Sequence, residues 1–235
     1  MEWGRAKSIL IFTFLLLNLL LGYQLWINNI NLLNPFFGGS EIVQETRELL
    51  EEKGIALDEE IPVETLSLKQ ITIDSEHIYE LDEMKLTQPI EMDQFNIKEI
   101  SQEIKNFDQY QMDEILSDEK QKIFNQLYEN LPLFDVQLTL YGTEDQLTHY
   151  NQRSAIVIPD MIQEEQEVLA APLIINLLAE NYLKQGEVIE DIQLGYQGFE
   201  SNPQVLFPKW RIAMDGGDIY YVHAFTGKVE VVQFQ

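Results

Sequence analysis

The sequence predicts an α+β protein with one N-terminal transmembrane helix, followed by an ectodomain of helices packed on antiparallel sheets. Three observations lead to this prediction. A long uncharged segment lies near the N-terminus, amphipathic helical patterns follow it, and alternating apolar runs joined by Gly-containing turns end the chain. Because helical and strand patterns alternate along the ectodomain, we also predict two related subdomains, residues 40–115 and 116–235.

The transmembrane helix is predicted over residues 8–27, a run of 20 residues without a charge. At 1.5 Å per residue, such a helix is about 30 Å long, the thickness of the hydrocarbon core of a bilayer. Basic residues precede the run, so the positive-inside rule places residues 1–7 in the cytoplasm and the C-terminal domain outside the cell. A cleaved signal peptide is the alternative, but the apolar run is longer than an h-region and Gly22–Trp26 makes a poor cleavage site.

Side chains that suit the membrane interface flank this segment. Basic and aromatic residues are typical of such anchors, and we assign that role to Trp3, Arg5, Lys7, Tyr23 and Trp26. Within the segment, Asn18 lies near the middle of the bilayer, where an unpaired amide is costly. Two interpretations stay open: the surrounding leucines tolerate one Asn, or Asn18 hydrogen-bonds a neighbouring membrane helix.

The first subdomain is predicted to begin with a helix after a short juxtamembrane linker, residues 28–39. Ser40 suits the N-cap of that helix and Gly54 its end, with an apolar stripe between them. Loosely alternating apolar residues then predict strand segments at residues 61–73, 78–84 and 94–104.

The second subdomain is predicted to contain two helices and several strands. Apolar residues at helical spacing predict one helix over residues 117–130, ended by Pro132, and another over residues 172–184. Alternating patterns predict strands at residues 135–141, 147–158 and 188–194. The clearest pattern is an antiparallel meander over residues 210–234, with Gly-containing turns at Asp215–Asp218 and Phe225–Lys228.

Composition and charge exclude several classes of function. Asp and Glu number 40 against 15 Lys and Arg, and the net charge of −25 repels phosphate backbones, which argues against nucleic-acid binding. The absence of cysteine removes disulfides, thiolate catalysis, Cys-ligated zinc and iron–sulfur clusters.

No catalytic, cofactor-binding or metal-binding residue is predicted. The sequence has no GxSxG, HExxH or P-loop motif, and its histidines, His77, His149 and His223, are scattered. The acidic runs at residues 58–60 and 164–167 lack EF-hand spacing and are interpreted as solvated faces, while Asp215–Asp218 is interpreted as a hairpin turn.

One function that these residues allow is that of an envelope-binding module. It would sense a peptide or wall polymer through a groove lined by aromatic residues of the terminal meander, although alternating aromatics more often form core. The residues concerned are Trp210, Tyr220, Tyr221 and Phe225. An anchored wall hydrolase would need a carboxylate pair, and the sequence nominates none.

Two parts of the sequence resemble the YycI proteins of Gram-positive bacteria. The first is the opening Met1–Ser8, which runs directly into an aromatic- and leucine-rich segment. The second is a set of C-terminal motifs, Ile192–Tyr196, Pro208–Ile212 and Tyr220–Glu230. The length and the membrane-anchor layout also agree with that family, and the motifs are structural rather than catalytic.

The resemblance implies a non-enzymatic regulator anchored in the cell membrane. YycI proteins, with the related protein YycH, associate with the sensor histidine kinase WalK (YycG) and modulate its signalling to the response regulator WalR, which governs cell-wall metabolism. Because family contacts run largely through membrane helices, the implied partners of the segment around Asn18 are a WalK-like kinase, a YycH-like protein and the lipid bilayer. The resemblance implies no cofactor and no catalytic residue.

Overall fold

The structure, a computed structural model, describes residue 7 and residues 10–22, 39–74, 78–91, 97–143, 145–159, 164–198 and 204–233. Over these residues the fold is a mixed α+β fold with few helices and a dominant sheet, which confirms the predicted class. The helices are α1 (residues 10–22), α2 (Gly39–Lys53), α3 (Ile97–Glu103) and α4 (Ala171–Asn181), with a 3-10 turn at Phe107–Gln109.

Helix α1 displays apolar side chains on all sides. The exposed fraction of its Leu, Ile and Phe residues ranges from 47% at Leu21 to 74% at Phe12. No helix among the described residues is long and apolar enough to cross a membrane. Lys7 is helical and exposed. Several predicted features lie outside the described residues: the anchors Trp3, Arg5, Tyr23 and Trp26, the ends of the 8–27 segment, and residues 28–38 of the linker.

The strands occupy most of the remaining chain. They are β1 (Ala56–Leu57), β2 (Ser67–Leu68), β3 (Ile71–Ile73), β4 (Tyr79–Glu91), β5 (Tyr110–Asp113), β6 (Gln121–Tyr128), β7 (Leu131–Gly142), β8 (Gln146–Ser154), β9 (Val157–Pro159), β10 (Gln166–Glu167), β11 (Val188–Gly198), β12 (Gln204–Met214), β13 (Asp218–His223) and β14 (Val229–Gln233). Within the described residues the main sheet has the order β14-β13-β12-β11-β7-β6-β5. In addition, β8 pairs with β7 and β4, and β3 links β12 to β9.

One order of elements occurs twice in this sheet. Helix α3 precedes the antiparallel strands β5 to β8, and helix α4 precedes the antiparallel strands β11 to β14. Ile100 and Ile104 pack with Phe124 and Leu138 in one core, so α3 and the residues that follow it cover the first set. Beside α4, the indole of Trp210 donates to the carbonyl of Leu169 at 2.8 Å. The predicted boundary between residues 115 and 116 falls between β5 and β6, which pair with each other.

The two sets of strands meet where β7 and β11 run parallel, at the pair Tyr196 and Leu133. Three strands separate β5 from β12, so their axes would lie about 19 Å apart in a flat sheet. Asp113 of β5 nevertheless forms an ion pair with Arg211 of β12. The sheet is therefore strongly curved around this junction, and the curvature brings polar side chains of both sets together.

Two of the predicted elements are wrong in type. Residues 117–130 were predicted as a helix but contain strand β6, and residues 94–104 were predicted as a strand but contain α3. In β6 the buried residues are consecutive, Phe124 to Gln126, because neighbouring elements cover both faces of the strand. A tight turn with positive φ at Glu129 (50°) and Asn130 (66°) then joins β6 to β7, which is the geometry of a type I′ hairpin.

The other predicted elements agree with the structure in type, but two of their bounds are wrong. Helix α2 already includes Gly39, so Ser40 lies inside the helix and is not its N-cap, and residues 61–66 form no strand. Gly54 ends α2 with a φ of 68°, and α4 covers most of the predicted 172–184 helix. The terminal meander is present as β12, β13 and β14, and Gly217, with a φ of 86°, lies in the turn at Asp215–Asp218. These predictions were confirmed because glycine at a helix end or in a tight turn is a local signal.

Candidate functional site

A buried ionic cluster lies where the two sets of strands meet, and Arg211 is at its centre. Arg211 is only 2% exposed. One guanidinium nitrogen, Nη1, donates to Asp113 Oδ2; the other, Nη2, donates to Asp191 Oδ2 at 3.1 Å and to Gln193 Oε1 at 2.8 Å. The arginine thus connects β5 of the first set with β11 and β12 of the second.

Polar residues of β6 and β7 extend the cluster. Asn125 Nδ2 donates to Asp113 Oδ2 at 2.6 Å and Gln137 Nε2 donates to Asn125 Oδ1 at 3.1 Å. The backbone N–H of Leu116 donates to Asp113 Oδ1 at 3.2 Å. A fully buried carboxylate requires such donors, because an unpaired buried charge is costly. The hydrogen bonds fix Asp113 in the orientation that meets Arg211.

An aromatic wall covers the guanidinium. The ring of Phe134 lies 4.9 Å from Arg211 Cζ, and it meets the ring of Tyr221 edge-on at 5.5 Å. Arg211 Nε is buried without a hydrogen-bond partner among the described residues. The phenyl ring approaches the guanidinium because Gly195 has no side chain: a Cβ there would lie 2.6 Å from Phe134 Cε2.

A cavity of about 220 Å³ opens beside this cluster. Its lining includes Arg211 and five carboxylates: Glu59, Asp113, Glu114, Glu190 and Asp191. Arg211 pairs with the two aspartates, whereas the three glutamates are exposed at the rim. The cavity is therefore strongly acidic, although among the described residues no three or more His, Asp or Glu side chains are arranged so that they could hold a metal ion. The ion pairs of Arg211 with Asp113 and Asp191 therefore link the two sets of strands where they meet.

Burial and charge act in opposite directions on the groups of the cluster. Burial raises the pKa of Asp191 above its ordinary value of 3.8, and the opposing attraction of Arg211 does not cancel this effect. Burial alone would lower the pKa of Arg211, but the hydrogen bond and charge of Asp113 raise it above the ordinary value of an arginine. Burial also raises the pKa of Tyr221, to about 12. Arg211 and Tyr221 therefore keep one protonation state near neutral pH.

Asp191 gives the cluster a testable pH dependence. Because the folded protein holds the Asp191 proton more tightly than the unfolded chain does, this group stabilises the fold below pH 3.8, and the contribution is lost as pH rises through the raised pKa. We expect the free energy of unfolding of the wild type, minus that of Asp191→Asn, to fall with rising pH from about pH 4 and then to level off. Urea denaturation at a series of pH values measures this difference. A difference that increases over the same window would contradict the direction assigned to Asp191.

A second polar cluster lies on the neighbouring strands. The buried Lys209 donates to Glu230 Oε2 at 2.6 Å and to Gln197 Oε1 at 3.1 Å. His223 stands opposite Lys209, between the rings of Phe207 (5.3 Å) and Phe225 (5.8 Å). Burial, together with the charge of Lys209, lowers the pKa of His223. This histidine is therefore mostly neutral at pH 7 and belongs to the packing of the sheet.

The structure does not form the predicted aromatic groove. Trp210, Tyr220 and Tyr221 are buried with 2%, 6% and 6% exposure, and Phe225 alone is half-buried. His149 stacks on Tyr141 at 5.8 Å, far along the chain from His223, and His77 lies outside the described residues. Asn18 is exposed on α1. The structure brings none of these residues into one described site.

The Arg211 cluster was missed in the sequence for an identifiable reason. Asp113 lies in a polar stretch that was interpreted as a separator between subdomains. The available signal was the run Trp210–Met214, in which Arg211 is the one polar residue. A continuous apolar run indicates a strand that is buried on both faces, so a charge inside it must be paired.

Solved structures resemble this chain only distantly. The C-terminal domain of YpeB from Bacillus megaterium is 14% identical, with a TM-score of 0.35, over 84% of this chain and 99% of that domain. An uncharacterized protein from Eubacterium rectale is 12% identical, with a TM-score of 0.36, over 52% of this chain. The match spans 45% of the length of that second protein. No curated protein matches the chain.

A family model gives the clear assignment. The model of the YycI protein family matches residues 43–225, which is most of the 235-residue chain and includes α4, the terminal meander up to Phe225 and every residue of the Arg211 cluster. YycI proteins are a regulatory family and are not known as enzymes. The chain therefore belongs to the YycI family, which has a regulatory role in the WalK/WalR two-component system.

Proposed function

We propose that this chain is a non-enzymatic, membrane-anchored regulator that associates with a WalK-like sensor histidine kinase and a YycH-like protein. Through them it modulates the signalling that controls cell-wall metabolism. Residues 8–27 cross the cell membrane once, residues 1–7 are cytoplasmic and the C-terminal part is extracellular. The observation that carries the proposal is the family match over residues 43–225. The repeated order of one helix and four strands supports the prediction of two related subdomains.

The surface of α1 supports the anchor. Its large apolar side chains are about half to three-quarters exposed, and apolar surface in water costs about 25 cal/mol per Å². Such a helix is stable only in an apolar environment, which a bilayer or another membrane helix provides. The role of Trp3, Arg5, Lys7, Tyr23 and Trp26 as interface anchors is part of this proposal.

Regulation through a membrane helix requires differential packing. A helix shifts a kinase between two signalling states only if it packs better against one of them. A difference of about 1–3 kcal/mol changes the ratio of the states by about 5–150-fold. Asn18 is exposed on α1, and a hydrogen bond from its amide to a partner helix contributes about 0.6–2 kcal/mol in a membrane. We therefore assign the partner contact to the helix face that carries Asn18.

The experiment replaces residues 8–27 with an unrelated uncharged helix of equal length. In membranes that contain the kinase and the YycH-like protein, we expect the variant to lose its effect on phosphoryl transfer to the response regulator. Crosslinking of this chain to the kinase should be lost as well, because the contact surface is absent. Unchanged circular dichroism of the purified variant shows that the C-terminal part is still folded.

Single substitutions in α1 show whether the helix contacts the kinase or only anchors the chain in the membrane. Asn18→Leu is expected to reduce crosslinking to the kinase by about 3- to 30-fold, the equivalent of the roughly 0.6–2 kcal/mol of one membrane hydrogen bond. Thr13→Val is the matched control, since it also removes a polar group from α1 and should leave crosslinking unchanged. If the swapped helix still regulates the kinase, contact through the membrane segment is wrong and the C-terminal part must carry the interaction.

A further inference from the structure

His223 ends strand β13, where residues 224–228 turn the chain toward β14. Three backbone hydrogen bonds close this turn on His223. The N–H groups of Thr226 and Gly227 donate to the carbonyl of His223 at 3.2 and 2.8 Å. The N–H of His223 in turn donates to the carbonyl of Lys228 at 2.9 Å. The conformation of the whole turn therefore depends on the position of this one residue.

The imidazole of His223 adds a hydrogen bond that only its neutral form can make. The N–H of Phe225 donates to His223 Nδ1 at 3.2 Å. A ring nitrogen accepts a hydrogen bond only when it carries no proton, so this bond selects the tautomer with its proton on Nε2. A protonated ring has an N–H at both nitrogens, and Nδ1 would then meet the N–H of Phe225 donor against donor. A single proton on the ring thus removes one of the bonds that close the turn.

The surroundings of His223 also oppose a positive charge on its ring. The charged groups that act on it, among the described residues, are Lys209, Lys228 and Glu230. Lys209 of β12 lies directly opposite His223, and its side chain is only 3% exposed. Glu230 of β14 is the anion of the three, but its carboxylate is 2.6 Å from the ammonium of Lys209 and is already paired there. A protonated His223 would therefore place a second cation beside a buried one.

Aromatic rings limit the access of water to the imidazole. The rings of Phe207 and Phe225 lie 5.3 and 5.8 Å from that of His223. Burial, together with the charge of Lys209, lowers the pKa of His223 below its ordinary value of 6.5. The hydrogen bond to Nδ1, the facing cation and the burial all favour the neutral ring while the turn is closed.

The turn also holds the segment that leads into α4. The N–H of Ala224 donates to the carbonyl of Pro208 at 2.9 Å, and the carbonyl of Ala224 accepts from the N–H of Leu169 at 2.8 Å. A Cβ at Gly227 would lie 3.6 Å from Leu177 Cδ1 and 3.8 Å from Leu169 Cδ1, so the turn lies over two leucines of α4 and the residues before it. Opening of the turn would loosen the start of α4 as well.

We propose that His223 is an acid-sensitive switch: its protonation opens the turn at residues 224–228 and loosens the segment before α4. In the open turn the ring is in water and leaves both Lys209 and the N–H of Phe225. The open state therefore binds the proton more tightly than the closed state, and acid shifts the equilibrium toward it. The closed turn keeps its full stability above about pH 6.5 and loses it as the pH falls. The switch needs no partner, so it holds or fails independently of the proposed function.

Hydrogen–deuterium exchange of the full chain in detergent micelles, read by mass spectrometry, measures the opening. Rates at about pH 7.5 and about pH 5.5 are divided by the intrinsic exchange rates, so that only protection by structure is compared. We expect the peptide with residues 224–228 to lose about three- to tenfold of its protection at the lower pH, since one proton is bound on opening. The turn at Asp215–Asp218 is the internal control. It contains no histidine, and the N–H of Gly217 donates to the carbonyl of Met214 at 2.8 Å, so its protection should stay unchanged.

Three variants assign the effect to the ring. His223→Gln cannot titrate but keeps an acceptor for the N–H of Phe225, so the turn should be equally protected at both pH values. His149→Gln is the matched control, because it removes a histidine from β8 and should leave the response of the turn unchanged. Lys209→Met removes the facing cation and leaves Glu230 to attract the protonated ring, so the loss of protection should become smaller. Unchanged circular dichroism shows that each variant is folded.

Three results would overturn the proposal. The first is equal protection of residues 224–228 in the unsubstituted chain at both pH values. The second is a loss of the same size in His223→Gln, which would assign the effect to another group. The third is an equal loss in the turn at Asp215–Asp218, which would show that acid loosens the sheet in general.

Discussion

Replacing Arg211 with methionine is expected to lower the free energy of unfolding by about 3–5 kcal/mol. Methionine has a similar length and no charge, so the main change is the loss of the cation beside Asp113. That carboxylate is fully buried and keeps the donors of Asn125 and Leu116, but these cannot compensate a whole charge. Urea denaturation of the purified full chain, followed by near-ultraviolet circular dichroism, measures the loss.

A second substitution tests whether the loss comes from the unpaired charge. Asp113→Asn combined with Arg211→Met removes both charges, so the double variant should be more stable than Arg211→Met alone. If the double variant is less stable than the single one, the unpaired charge of Asp113 is not what destabilises Arg211→Met, and the electrostatic account is wrong. Lys228→Met is the control for a cation in contact with solvent. Its Nζ is 3.8 Å from Glu230 and 71% exposed, so we expect a change within about 0.5 kcal/mol.

Arg211→Met also tests what holds the two sets of strands together. The parallel β7–β11 pairing has a register of one residue pair, so side chains must supply much of the contact at the junction. The Arg211 cluster supplies the ionic part, and Phe134, Ala213, Ile219 and Tyr221 supply an apolar part. Loss of Arg211 should therefore weaken the junction more than the separate cores beneath α3 and α4.

The elements that could be predicted from the sequence are those with local signals. The end of α2 at Gly54 and the turn at Gly217 depend on the conformational freedom of a single residue, and the meander depends on short-range alternation. Strand β6 could not be predicted in this way. Ile123, Phe124, Leu127 and Tyr128 have a spacing that suits a helix, and the burial of Asn125 and Gln126 depends on partners far along the chain.

The candidate site depends on distant contacts to an even greater degree. Arg211 and Asp113 are 98 residues apart, and they meet only because the sheet curves across four strand intervals. A sequence pattern shows that Arg211 is surrounded by apolar neighbours, but it does not show which carboxylate pairs with it. Gln126 is a similar case, because its side chain bonds the N–H and C=O of Ala155, 29 residues away. The buried polar partners of this fold are therefore set by topology.

Gly195→Ala is expected to lower the free energy of unfolding by about 1–3 kcal/mol, the cost of overpacking a well-packed site. The added Cβ would lie 2.6 Å from both Phe134 Cε2 and the carbonyl oxygen of Pro132, and real contacts are not that short. The ring can move, but the carbonyl belongs to the backbone of β7 next to the β7–β11 junction. Movement of Phe134 would also disturb its 4.9 Å contact with Arg211.

The matched control is Gly216→Ala, which adds the same methyl group to a turn where nothing lies within 4 Å. Its stability should stay within about 0.5 kcal/mol of the unsubstituted chain, as for other surface substitutions. Phe134→Leu in the Gly195→Ala background should restore only part of the loss, because it removes the ring contact and leaves the clash with the Pro132 carbonyl. Equal stability of the two glycine variants in urea denaturation would show that β7 and β11 can separate at this point. The close approach at Gly195 would then not be what holds the junction.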